Sequence, residues 1–182
     1  MPQVPGRDPG EQGSHRASTR PKLYQRRIVD GVLDELFPHL AAVALEGAKG
    51  VGKTATASQR AKTILSLDRP GQREILAANL DYITRVPPPV LIDEWQLEPA
   101  VWDRVRAAVD EDNAGGRFLL AGSASVAPGV RIHSGAGRIV RIRLRPLAFS
   151  ERGLAEPVVS LRELLGGDQP DISGHSTIDL PT

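Results

Sequence analysis

The stretch Gly47-Ala48-Lys49-Gly50-Val51-Gly52-Lys53-Thr54 constrains this chain more than any other. It has the form G-x-x-x-x-G-K-T, between a short apolar run, Ala41 to Leu45, and a run with helical character, Thr54 to Lys62. Strand, glycine-rich turn and helix are the context in which that spacing makes a phosphate-binding loop. Gly47, Gly50 and Gly52 let the backbone curl so that its N–H groups face one anion. The following helix adds unpaired N–H groups and the positive end of its dipole. Lys53 is expected to bring a point charge to the β- and γ-phosphates of ATP, and the Thr54 hydroxyl to ligate Mg²⁺.

A second signal lies downstream. Pro87-Pro88-Pro89 forces an extended entry into Val90-Leu91-Ile92, and that apolar run ends in Asp93-Glu94. In phosphoryl-transfer sites an acid at a strand's end holds Mg²⁺ together with the loop hydroxyl, which is the expectation for Asp93. Glu94 is placed to orient the attacking water or take its proton. The run Arg117 to Ser123 reads as another strand, emerging onto Ser123. Ser123 is a candidate sensor of the γ-phosphate, with a turn-capping hydroxyl as the alternative. A glycine-rich turn, Ser134 to Arg138, leads into the strand Ile139 to Leu144. There Arg141, Arg143 and Arg145 alternate with apolar residues, the pattern of an edge strand with a basic face. Arg138 precedes that strand. It is a candidate for stabilising charge on the γ-phosphate, within the subunit or across an interface, against a plain surface role.

Between these landmarks helices are expected. Tyr24 to Leu36 has an apolar stripe of Ile28, Val32, Leu33 and Leu36, closed by Pro38. Arg69-Pro70-Gly71 reads as a turn, after a short strand in the last residues of Thr63 to Asp68 and before a helix over Glu74 to Leu80. Pro99 suits the first position of a helix whose stripe is Trp102, Val105, Ala108 and Val109. Val158 to Leu165 is a last amphipathic segment. Residues 1–22 are rich in Pro, Gly, Ser and Arg and read as a disordered tail, as do residues 166–182. The basic residues of the first tail make a nucleic-acid contact conceivable beside a purely solvated one.

Composition narrows the class. The chain has 182 residues, 40% of them apolar and 25% charged, as in a globular domain. Its net charge of +1 favours no anionic partner, and the absence of cysteine excludes disulfides and thiolate metal sites. No apolar run approaches the roughly 20 residues that span a bilayer. The N-terminus lacks the apolar segment of a secretory signal, so no membrane association and a cytoplasmic location are expected. A GTPase should carry D-x-x-G and N-K-x-D, but Asp93 is followed three residues later by Gln96 and no N-K-x-D occurs.

Strands alternating with helices imply a parallel α/β sheet. Together the motifs resemble a prokaryotic group of AAA-type phosphate-loop ATPases. The resemblance runs from Tyr24-Gln25-Arg26-Arg27-Ile28-Val29-Asp30 through the loop and Leu91-Ile92-Asp93-Glu94-Trp95-Gln96. It continues through Phe118 to Ser123 and His133 to Arg138, and reaches Arg145-Pro146-Leu147 and Glu151. It implies a three-layer P-loop NTPase fold over residues 23–165, with a five-stranded, mostly parallel sheet of order 5-1-4-3-2 and helices on both faces. It implies ATP and Mg²⁺ as ligands, Glu94 as the residue activating water, Ser123 as sensor and Arg138 as a candidate arginine finger. Members of that group continue into a second, C-terminal domain, so a truncated relative, or one served by a partner chain or a homo-oligomer, is expected here. Two functions follow: an ATPase whose client is unknown, or a binding module that takes ATP without useful turnover.

Overall fold

The run Ala42-Val43-Ala44-Leu45-Glu46 is a strand, β1, buried on both faces along its whole length. In the computed structural model, which describes residues 24–122, 133–148, 150–152 and 159–169, β1 lies inside one all-parallel sheet. Its companions are β2 (Thr63–Ser66), β3 (Val90–Asp93), β4 (Phe118–Gly122) and β5 (Ile139–Arg143). Their order is β2-β3-β4-β1-β5, the expected 5-1-4-3-2 read from the other edge. Parallel strands must be joined by crossovers that cover the faces, so continuous apolar runs are what β1, β3 and β4 require.

The alternation of β1 sorts two cores. Ala42 and Ala44 face a layer that holds Leu76, Ile83, Val101, Trp102 and Val105, from helices α3 (Pro70–Ala78), α4 (Tyr82–Arg85) and α5 (Ala100–Glu111). Val43 and Leu45 face the other, with Leu33, Phe37 and Ala57 from α1 (Ile28–Leu36), the 3₁₀ turn after it and α2 (Lys53–Ser58). Each large aliphatic side chain buried this way contributes about 1.5–3 kcal/mol. The fold is thus the expected three-layer α/β arrangement.

Several elements differ from expectation. The first helix begins at Ile28, and residues 24–27 lie outside it; Arg27, extended at φ −103° and ψ 159°, is its N-cap. Of the expected stripe only Leu33 faces inward. Ile28, Val32 and Leu36 are exposed, whereas Asp30 and Leu33 are buried, with Phe37 following. Pro70-Gly71 is not a turn but the start of α3, since proline's missing N–H costs nothing at the first helical position. The last helix, α6 (Leu161–Leu165), has no buried residue, and its Leu161 and Leu165 are exposed. Of the expected tails, residues 1–22 and 170–182 lie outside the described residues, while residues 166–169 of the second continue from α6, Gly166 and Gly167 as a turn.

Burying Asp30 is possible because its carboxylate is saturated. It accepts from the Arg27 N–H at 2.6 Å, the Tyr24 hydroxyl at 2.6 Å and the Arg60 Nη1 at 2.7 Å. The Tyr24 hydroxyl is also bonded to Thr56 at 3.1 Å, so the chain before α1 is fastened across α2. Burial by itself would raise the Asp30 pKa. The bonds from Tyr24, Arg27 and Arg60 outweigh it and hold the carboxyl below its ordinary 3.8.

Asp30→Asn is expected to lower unfolding stability by about 1–3 kcal/mol at pH 7, read from urea denaturation. Because the folded value lies below the unfolded one, the Asp30 contribution is complete above the ordinary carboxylate range. It is lost as pH falls through the lower folded value, so the gap between variant and wild type should close in acid.

Candidate functional site

The chain leaves β1 at Glu46 and turns at Gly47, where φ is 153°. A Cβ at that position would lie 2.4 Å from the Leu144 carbonyl oxygen, so only glycine fits. Gly50 and Gly52, at φ 83° and 96°, take the left-handed conformation that glycine alone adopts without strain. Lys53 then opens α2 and folds back over the loop. Its ammonium, on a side chain inside a residue only 7% exposed, donates to the carbonyls of Gly47 and Ala48, both at 2.9 Å. An ammonium has three donors, so one remains for an anion held in the loop.

Register brings the acids to the same end of the sheet. Asp93 of β3 pairs with Ala121 of β4, one residue before the Glu46–Gly122 pair of β1 and β4. The Thr54 hydroxyl donates to Asp93 Oδ1 at 2.8 Å, joining the helix after the loop to the end of β3. Lys53, Thr54, Asp93 and Glu94 line one cavity of about 580 Å³, together with Asp68, which follows β2. That volume suits a small-molecule ligand. Burial raises the Asp93 pKa; the Thr54 bond opposes this, while the neighbouring charges of Glu94 and Asp68 add to it. Buried Asp93 with the Thr54 hydroxyl beside it, half-buried Glu94 and exposed Asp68 line the same cavity, and their oxygens are of the kind a hard divalent cation such as Mg²⁺ takes. Among the described residues no group of three or more acids and histidines is close enough to enclose a metal alone.

Glu94 sits at φ 54° and ψ 41°, a left-handed conformation unusual for a residue with a side chain. Such strain costs about 1–3 kcal/mol, and it turns the carboxylate from the line of β3 into the cavity. The Gln96 amide donates to Glu94 Oε2. Behind that contact, Trp95 and Trp102 pack with ring centroids 4.8 Å apart. Both tryptophans are therefore core residues.

The other expected site residues are placed differently. Ser123 lies outside the described residues, which pause after Gly122. Arg138 precedes β5 and so stands at the opposite end of the sheet from the loop, because Ile139 pairs with the first residue of β1. Its guanidinium donates to Asp110 at 2.6 Å. It does not line the cavity of its own chain.

Three participants carried no sequence signal as parts of a site. Asp68 closes a strand two residues past its last ladder pair. Gln96 acts through a short turn. The third is Arg27, whose Nη1 donates to the Val51 carbonyl of the loop at 2.9 Å. Only the crowding of acids after apolar runs could have drawn attention to Asp68.

Compared with known families, the chain matches the model of an AAA domain over residues 40–153, more than half its length. The chain belongs to the AAA domain family. No curated protein matches it. As an AAA domain it is a nucleotide-binding protein of that type, and its matched segment runs from the residue before Ala41 to just past Glu151. Among the described residues no helix is long and apolar enough to cross a membrane.

The AAA domain depends on close contact behind the cavity. A Cβ on Gly122 would lie 2.1 Å from Gln96 Oε1 and 2.9 Å from the Trp95 ring. Gly122→Ala is expected to cost about 1–3 kcal/mol by overpacking and to shift tryptophan emission, since Trp95 must move. Denaturation followed by that emission measures both.

Proposed function

We propose that this AAA domain binds ATP with Mg²⁺ and hydrolyses its terminal phosphate. The observation that carries the reading is the convergence of Lys53, the Thr54–Asp93 pair and Glu94 on one cavity. In this reading the loop from Gly47 to Thr54 takes the phosphates, its N–H groups and the free donor of Lys53 meeting their oxygens. Thr54 and Asp93 would hold Mg²⁺, which neutralises charge on the β- and γ-phosphates when bound. Glu94 orients a water in line with the γ-phosphate and takes its proton as the bond to the β-phosphate oxygen breaks. A positioned base of this kind accounts for about 10²–10⁴-fold in rate. Ser123 is assigned as sensor by its place after β4. Arg138 is assigned to a neighbouring subunit's site, since it is distant from its own.

A second reading is favoured by one contact. The Gln96 amide engages the Glu94 carboxylate, which suits a module that binds ATP and withholds turnover until Glu94 is released. Both readings place the domain over residues 23–165, and the client it serves is left to the segments around it.

Lys53→Ala is expected to abolish ATP binding, measured by titration with a fluorescent analogue; unchanged affinity would remove the site assignment. Glu94→Gln should retain affinity within a few fold and lower steady-state phosphate release by roughly 100-fold. Wild-type release no faster than that variant would decide for the binding module. If Arg138 acts across an interface, ATP should increase the particle size seen in solution, and Arg138→Ala should lower turnover without weakening binding.

A further inference from the structure

Arg27 lies upstream of the segment matched to the AAA domain, yet its side chain, 8% exposed, joins three separate parts of the site's frame. Nη1 donates to the Val51 carbonyl at 2.9 Å and Nη2 to the Arg145 carbonyl at 2.9 Å. Nε and Nη2 meet the two oxygens of Glu151 at 3.1 and 3.3 Å, a two-pronged pair. Glu151, itself 7% exposed, also accepts the N–H groups of Ile28 and Ala148, both at 2.7 Å. The bonds from Arg27, and then those N–H groups, hold its carboxyl below the usual carboxylate range.

From this geometry we infer that Arg27, held by Glu151, is a positioning residue that sets the shape of the phosphate loop. The physical step is short. A trans peptide is planar, with C=O and N–H pointing in opposite directions. Fixing the Val51 carbonyl on Arg27 therefore turns the Gly52 N–H to the other side. Gly52 has φ 96° and no Cβ, so nothing in its own backbone resists rotation of that peptide. Gly52 lines the cavity, and the guanidinium rests 3.6 Å from where its Cβ would stand. Glu151 keeps the guanidinium from turning, and the Arg145 carbonyl accepts from the same Nη2 that meets Glu151. Lysine cannot replace this arrangement, because one ammonium cannot serve a two-pronged carboxylate and two carbonyls in a single plane. The clasp also ties the loop to the stretch after β5, so that displacing the turn Ser150–Arg152 loosens the loop.

The inference rests on the nucleotide-binding reading for its purpose, but its core can be tested without nucleotide. Hydrogen exchange of a peptide covering residues 47–56 is followed in the free protein for wild type, Arg27→Lys and Glu151→Gln. ATP affinity is measured in parallel, well below each melting temperature. Ile83→Val, in the opposite core, serves as a control of mild destabilisation. Arg27→Lys is expected to speed loop exchange and weaken ATP binding about tenfold. Glu151→Gln keeps the two carbonyl bonds and should shift both less, in the same direction. Exchange and affinity in Arg27→Lys no different from Ile83→Val would overturn the clasp. Wild type that fails to bind ATP would overturn the nucleotide reading instead, while the exchange rates still decide whether Arg27 shapes the loop.

Discussion

A strand buried on both faces has room for polar chemistry only at its ends, and β1 is such a strand. Its five residues exclude water from the centre of the sheet, and the chain becomes polar again only at Glu46 and the glycine-rich turn beyond. Because the neighbouring strands are parallel and in register, β2, β3 and β4 end at that same level. Strand length carries Asp93 to the level of the loop, Asp68 follows two residues past β2, and the left-handed backbone of Glu94 turns it into the cavity. The position of the cavity is a consequence of sheet topology, and its chemistry a consequence of which residues happen to end each strand.

That corner is electrostatically unfinished in the protein alone. Desolvation and neighbouring acids raise the Asp93 pKa against the opposing Thr54 bond, and Lys53 spends two of its donors on carbonyls of its own loop. Carboxylates and an ammonium thus line one cavity. In the proposed reading, a metal-bound polyphosphate would bring anionic oxygens to Lys53 and a cation to Asp93.

The sheet was legible in the sequence because short apolar runs punctuated by proline and glycine leave few alternatives. The motif residues were legible because each sits where a run ends. The first helix was not. Its apolar periodicity pointed to Ile28, Val32, Leu33 and Leu36, of which only Leu33 is buried; the buried face also takes Asp30, whose carboxylate Tyr24 and Arg60 reach. Arg60 is thirty positions away from Asp30, and no local pattern encodes such a partner. The same holds for Arg27 and Glu151, separated by 124 positions. Arg138 was recognisable as an unusual arginine, but its end of the sheet followed only from the register of β5.

The floor of the phosphate loop is an outermost strand. Gly47 turns against the Leu144 carbonyl, and the Leu144 N–H donates to Glu46 at 2.7 Å, just past the last pair of β1 and β5. Among the described strands β5 pairs only with β1 and is an edge of the sheet. Edge elements open at lower free energy than the centre of a fold. The ligand site therefore inherits the resilience of the sheet's rim rather than of its core, and binding can fade under mild stress while most of the molecule stays folded.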